Sequence, residues 1–451
     1  MSFPSLLRPL RPRRLVAAGL LLAASLAAQA GIPIQHWVQP GGARVYLIES
    51  HAIPMVDVQI DLDAGGRRDP PAQTGLANLS ASATAYGVRA TASEPALDEN
   101  ALSDAWTDLG ASFGGSASAD RMSFGLRSLT EPDLLNRAVT LAARQMGEPQ
   151  FPAAPWERDR QKLIASLKEA QTRPGTLAAR AFAQAVFGDH PYGRETTEAS
   201  LLRIGVDDMR ALHARMVRPC AARVSVVGAL SRTQADAVVQ RLLSRLPAGA
   251  CSALPAVPEV QPLKAASEQR IAFAAAQAQV LLGQPGIARN SPDFLTLLVG
   301  NHILGGGGFS ARLTEEVREK RGLTYSVYSS FAPGLHAGAF TIGLQTRPDQ
   351  AQQALDLVRR VLADFVAQGP TEAELRAAKD NLIGGFALRI DSNRKLLDNL
   401  SNIAWNDLPL DYLDTWTERV ARITTADIRA AFARTLQPGA MATVVLGAQA
   451  P

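Results

Sequence analysis

At 451 residues the chain is too long for one ordinary hydrophobic core, so two domains are the expectation. It carries 46 Lys+Arg against 42 Asp+Glu, but Arg8, Arg11, Arg13 and Arg14 belong to a leader-like N-terminus, and without them the two signs balance at 42 each. That balance, and the lack of a basic tract interleaved with aromatics, excludes a nucleic-acid footprint.

The basic start, the apolar run over 15–27 and the small-x-small ending Ala28-Gln29-Ala30 read as a secretory signal peptide over 1–30. The apolar run is shorter than the roughly 20 residues that cross a bilayer. Cleavage near Gly31 is therefore expected rather than a retained membrane anchor, with export across the inner membrane to the periplasm.

The first domain is expected over 31–246. Alternating residues at 43–48 and 56–62 predict half-buried strands, a small-residue helix follows at 75–83, and 110–129 holds two further strands. Helices are predicted at 132–146, 155–172 and 233–245. Cys220 and Cys251 flank one strand–helix unit; pairing is geometrically conceivable in an oxidising compartment, and the sequence leaves it open. A Pro/Ala-rich stretch over 247–267 reads as the interdomain linker.

The second domain, 268–451, is expected to hold a strand at 270–282, a helix at 294–304 and strands at 324–331 and 337–345. Thr371 with Glu374 makes a capping box that starts a helix reaching to 388. The halves repeat each other. Residues 203–228 align without gaps on 422–447, an offset of 219, with 11 of 26 positions identical. A period that long marks a duplicated domain rather than a solenoid, where about 20–50 residues is usual. Strands mixed with helices and no steady βαβ alternation imply α+β: two homologous domains, each a mostly antiparallel sheet covered by helices.

Three segments then stand out: Thr74-Gly75-Leu76-Ala77, Phe187-Gly188-Asp189-His190-Pro191-Tyr192-Gly193, and Phe309-Ser310-Ala311-Arg312-Leu313 running on to Tyr325-Ser326-Val327-Tyr328-Ser329. In their order and spacing the chain resembles the pitrilysin/insulinase-type zinc metallopeptidases, especially the two-domain, mitochondrial processing peptidase-like members. The resemblance runs nearly end to end and implies that the two domains form half of a clamshell.

In catalytic members Thr-Gly-Leu-Ala leads into His-x-x-Glu-His, two zinc-binding imidazoles and a general base on one helix face. Here those positions are Asn78, Ala81 and Ser82, which offer no imidazole and no base. The resemblance puts a third ligand around 163–169, where Glu169 alone would not hold a metal. No metal or other cofactor is expected on this chain.

Arg318 and Tyr325 keep the family's Arg-x₆-Tyr spacing, and the resemblance implies that both donate hydrogen bonds to the substrate carbonyl as charge develops on it. Taken alone, the residues also fit a helix-surface ion pair of Arg318 with Glu315 or Glu319 and an ordinary strand tyrosine. Gly305, Gly306, Gly307 and Gly308 lack the Lys of a phosphate loop. By resemblance they help receive substrate; as residues they fit a flexible connection equally well. His190-Pro191-Tyr192-Gly193 fits a rigid turn, and the strand of Gln277 and Gln279 is a candidate edge for an added peptide strand.

The resemblance implies the zinc-free, Arg/Tyr-bearing subunit of a heterodimeric zinc endopeptidase acting on peptides. Its homologous partner would carry His-x-x-Glu-His and the zinc. The alternative is a non-catalytic scaffold or peptide-binding subunit of the same fold.

Overall fold

Val56, Val58, Ile60 and Leu62 are all buried, and that period of two places β3 (Met55–Leu62) at the centre of the first sheet. The computed structural model describes residues 31–447; the expected leader at 1–30 lies outside the described residues. Around β3 run β1 (Gln35–Val38), β2 (Arg44–Glu49), β6 (Ser112–Ala117), β7 (Met122–Leu129) and β8 (Arg223–Gly228), in the order β1-β2-β8-β3-β7-β6. Two short strands, β4 (Gly87–Val88) and β5 (Leu97–Asp98), pair separately. The second half builds β9 (Ser267–Ile271), β10 (Ala278–Pro285), β11 (Val327–Phe331), β12 (Ala339–Thr346) and β13 (Ala442–Leu446), ordered β11-β12-β10-β13-β9.

The sheets share one topology. β2-β8-β3-β7-β6 maps onto β9-β13-β10-β12-β11, and among the described residues the parallel pairs are β2/β8 and β9/β13. Two expectations need correction. The single strand at 270–282 is two strands, β9 and β10, on opposite sides of β13. β10 is paired on both sides, by β12 and β13, so the strand of Gln279 offers no free edge.

The helices of the first half are α1 (Leu76–Ser82), α2 (Glu99–Asp108), α3 (Pro132–Gly147), α4 (Ala153–Ala170), α5 (Pro174–Phe187), α6 (Glu198–Leu202), α7 (Val206–Met216) and α8 (Arg232–Leu243). Those of the second are α9 (Phe294–Asn301), α10 (Ala351–Gln368), α11 (Glu372–Gly384), α12 (Asn393–Trp405), α13 (Tyr412–Arg422) and α14 (Thr425–Thr435). α7 and α14 superpose in sequence at the offset of 219, as do the Pro-led 3₁₀ turns Pro219–Ala221 and Pro438–Ala440. The predicted box at the start of α11 is formed, Thr371 and Glu374 each bonding the other's backbone N–H.

The halves exchange a helix. α5 leaves its own sheet and lies on β10 and β13, where Ala178, Phe182 and Val186 share a core with Val444 and Leu446. Its repeat partner α12 lies on β2, β3 and β8, and Leu397, Leu400 and Ile403 join the cluster that holds Tyr46, Ile48 and Val227. Arg223 of β8 closes the end of α12 by donating to the Ala404 carbonyl at 2.6 Å and to that of Trp405. The His190-Pro191-Tyr192-Gly193 turn adds a polar brace. The Tyr192 hydroxyl donates to Asp120 at 2.6 Å and accepts from the His336 N–H of the second half at 3.2 Å. Cys220 and Cys251 are disulfide-bonded across 31 residues, tying the start of the linker to the Pro219–Ala221 turn.

Candidate functional site

The first component is α1. Gly75, at φ +105°, turns the chain into the helix, and the buried Asp69 carboxylate accepts from the Gly75 and Ala77 N–H groups at 2.8 and 2.9 Å. Asn78 and Ser82, one turn apart, are exposed, whereas Ala81 is fully buried. β6 presses on this helix so closely that a Cβ on Gly115 would sit 2.6 Å from the Ala81 carbonyl oxygen. The Asn78 side-chain oxygen is already engaged, accepting from the Ala117 N–H at 2.9 Å. An amide oxygen in use, a methyl and a hydroxyl do not fit a zinc site, which takes His, Cys or carboxylate donors.

Nor does α4 supply a carboxylate ready to bind a metal. Glu169 is ion-paired to Arg173 on the surface. The α4 carboxylate that reaches the segment after α1 is Asp159, ten residues earlier, which accepts from the Tyr86 hydroxyl at 2.9 Å. Its pKa is held down to about 2, chiefly by the Arg158 guanidinium. Among the described residues no group of three or more His, Cys, Asp or Glu is placed to hold a metal ion.

The second component is built differently. α9 runs on into a π-helical turn, His302–Gly306, and a second π-helical turn, Thr314–Glu319, carries Arg318. Such wide turns are rare and gather at functional sites. Gly322, at φ +60°, then reverses the chain, and its N–H bonds the Arg318 carbonyl at 2.8 Å. Leu323 plugs the core, and the Thr324 hydroxyl is fixed to the Gln345 carbonyl of β12. The reversal returns Tyr325 to Arg318, with the guanidinium 4.9 Å from the ring centroid.

Phe309 completes the arrangement. Its ring, 72% exposed, lies 4.7 Å from the same guanidinium. Arg318 is thus stacked on two aromatic rings, and its Nε sits 3.2 Å from Glu319. Stacking removes water from the cation's faces while leaving its N–H edge as the hydrogen-bonding surface. The surface ion pair and the aromatic pairing both occur, and together they hold the side chain, which is 29% exposed. Tyr325 is 79% exposed, so its hydroxyl is open to a ligand. Sequence reasoning missed Phe309; its signal was a large apolar residue directly after a glycine run, where no periodicity requires one.

The glycine run divides in two. A Cβ on Gly305 would meet Ser329 at 2.5 Å, one on Gly306 the Asn301 side chain at 2.8 Å, and one on Gly307 the His302 carbonyl at 2.5 Å. Close packing against β11 accounts for Gly305, against α9 for Gly306, and against the start of the π turn for Gly307. Gly308, at φ +65° with open space around its Cβ position, is the hinge that presents Phe309.

Comparisons with known proteins give the family and the fold. Residues 44–200 match the family described as insulinase (peptidase family M16), and residues 203–382 match the peptidase M16 inactive domain. A solved peptidase M16 inactive domain from Pseudomonas fluorescens is 33% identical, with a TM-score of 0.86 over 92% of this chain and 98% of that one. The chain belongs to the peptidase M16 family. A curated relative, the non-peptidase homolog YmxG of Helicobacter pylori, is 25% identical over 91% of this chain and 93% of its own length. The periplasmic protease PqqL of Escherichia coli shares the fold, with a TM-score of 0.78 and 18% identity over 92% of this chain and 46% of its own. M16 membership thus holds for both halves.

Proposed function

We propose that this chain is the zinc-free subunit of an exported heterodimeric M16 endopeptidase, and that it contributes Arg318 and Tyr325 to an active site whose metal and general base come from a homologous His-x-x-Glu-His subunit. The observation that carries the reading is the contrast between the two components. The α1 side chains have no ligand chemistry, while Arg318 is held on the rings of Phe309 and Tyr325 with its donor edge available. A scaffold has no chemical need for a cation held in that way.

In this reading the peptide carbonyl accepts from the Arg318 guanidinium and the Tyr325 hydroxyl. Both bonds strengthen as the carbonyl oxygen gains negative charge, and positioned donors of this kind act most strongly where water is excluded. Gly308 and Phe309 are the part of the glycine loop open to substrate. The Cys220–Cys251 disulfide supports an oxidising compartment, in keeping with the leader-like N-terminus.

Mixing tests the reading. The pure mature chain binds no stoichiometric zinc and hydrolyses no peptide; activity appears on adding the His-x-x-Glu-His subunit and falls on Arg318→Ala or Tyr325→Phe. Chelator-sensitive hydrolysis by the pure chain overturns it. Full activity of the pair with Arg318→Ala would instead favour the scaffold.

A further inference from the structure

A cavity of about 330 Å³ opens between the exchanged helix and the second sheet, beginning one residue beyond Tyr325. α5 packs along β10 and β13, and the cavity lies where the start of the helix faces β10 and the neighbouring strands β12 and β11. One wall is small-residue helix: Gly175, Ala178 and Ala179. The floor is Gly343, over which the Tyr328 ring lies so closely that a Cβ at 343 would sit 2.6 Å from the Tyr328 hydroxyl.

The polar groups are of one kind. Gln279 and Gln345 stand opposite each other on β10 and β12, with Ser326 and Tyr328 beside them, and among the described residues no charged one lines the cavity. Among the described residues, Ser326 and Gln345 enter hydrogen bonds only through their main chains, which leaves their side chains available. A charged side chain placed here would find no counter-ion among the lining residues. An apolar one would meet the alanine wall and Leu281, while the amides and hydroxyls satisfy the main chain that carries it. The volume lies near the lower end of the roughly 300–1,000 Å³ usual for ligand sites, enough for one large side chain with its backbone.

We propose that this cavity is the subsite that receives a bulky uncharged side chain of the bound peptide, next to the carbonyl held by Arg318 and Tyr325. The proposal deepens the peptidase-subunit reading and rests on it for the role of that carbonyl. Gly175 gives direct access for a test: it is exposed, and a Cβ there would lie 3.8 Å from the Gln279 amide oxygen, so a larger side chain fits the backbone and fills the cavity.

The probes are fluorescein-labelled unstructured decapeptides carrying Leu, Phe, Asp or Lys at one central position, and the measurement is anisotropy with the mature chain alone. The Leu and Phe peptides are expected to bind about tenfold tighter than the Asp and Lys peptides, the scale of discrimination an apolar pocket gives. Gly175→Leu and Tyr328→Ala both erase that preference. Equal binding of all four peptides by the wild type, no binding of any, or a preference surviving both cavity variants overturns the subsite. A preference lost in the cavity variants establishes it even if the mixed subunits hydrolyse nothing, in which case only the heterodimer reading fails.

Discussion

Phe182 of the first half ends directly over Gly283 of the second, its ring tip 2.8 Å from where a Cβ at 283 would stand. The glycine is thus the socket for the exchanged helix, and the Phe340 carbonyl of the neighbouring strand crowds the same point. Gly283→Ala is expected to destabilise the chain by about 1–3 kcal/mol through overpacking. Phe182→Ala is expected to cost about 3–5 kcal/mol through the cavity it leaves. Urea denaturation measures both; a change under 0.5 kcal/mol in either would show that α5 is not seated as described.

Arg318→Ala should lower the peptide-hydrolysis rate of the mixed subunits by about 10²–10³, the scale set by removal of one positioned donor. The amount of complex recovered by size-exclusion chromatography should not change, because Arg318 pairs within its own segment. Loss of assembly together with activity would move Arg318 from chemistry to the interface.

Phe309→Ala removes one of the two rings against Arg318. Exposed cation–π contacts are worth about 0.5–1 kcal/mol, so kcat should fall about two- to fivefold. Phe309→Trp should restore it. A change confined to KM would make Phe309 a substrate contact rather than a support for the guanidinium.

His213 gives a pH prediction. It is buried in α7 with its ring edge-on to Phe151, and burial pushes its pKa down to about 4. A histidine ordinarily titrates near 6.5, so the folded state binds fewer protons than the unfolded state between those values. Stability is therefore full above pH 6.5 and lost as pH falls toward 4, by up to about 3 kcal/mol. The repeat partner of His213, at the offset of 219, is the fully buried Phe432. His213→Phe should remove that acid-side loss, seen as a flatter denaturation midpoint between pH 7 and 4; an unchanged slope would assign the loss to other groups.

Ala81→Glu replaces a fully buried methyl with a carboxylate in a space that Gly115 of β6 closes. Circular dichroism melts should show a loss of stability of several kcal/mol. Ser82→His, at an exposed position, should stay within about 0.5 kcal/mol of the wild type, whereas Asn78→His, which gives up the bond from the Ala117 N–H, should cost about 0.5–1.5 kcal/mol. A stable Ala81→Glu variant would mean that β6 yields readily.

Much of this was legible in sequence because it depends on short spacings. The alternation of β3, the box at Thr371 and Glu374, the 219-residue repeat and the Arg318–Tyr325 spacing are each local or self-similar patterns. The helix exchange was not legible, because an apolar stripe such as that of α12 says that a sheet is covered but not whose sheet. α5 was missed because its Ala-rich sequence gives little contrast between faces. The strand of Gln279 was misread as an edge because alternation cannot report what pairs on either side. The disulfide stayed open because a separation of 31 residues does not reveal that the two Cα atoms lie 5.7 Å apart. Phe309 leaves a trace in the sequence, as a large apolar residue after the glycine run, but its place over Arg318 shows only in three dimensions.

The crossed helices also set an order of events during synthesis. When the first 250 or so residues have left the ribosome, the face of the first sheet that carries Tyr46, Ile48 and Val227 has nothing to cover it, because α12 ends at Trp405. α5 is meanwhile made long before the strands it will lie on. The two shared cores can therefore close only late, after nearly all of the chain has been made.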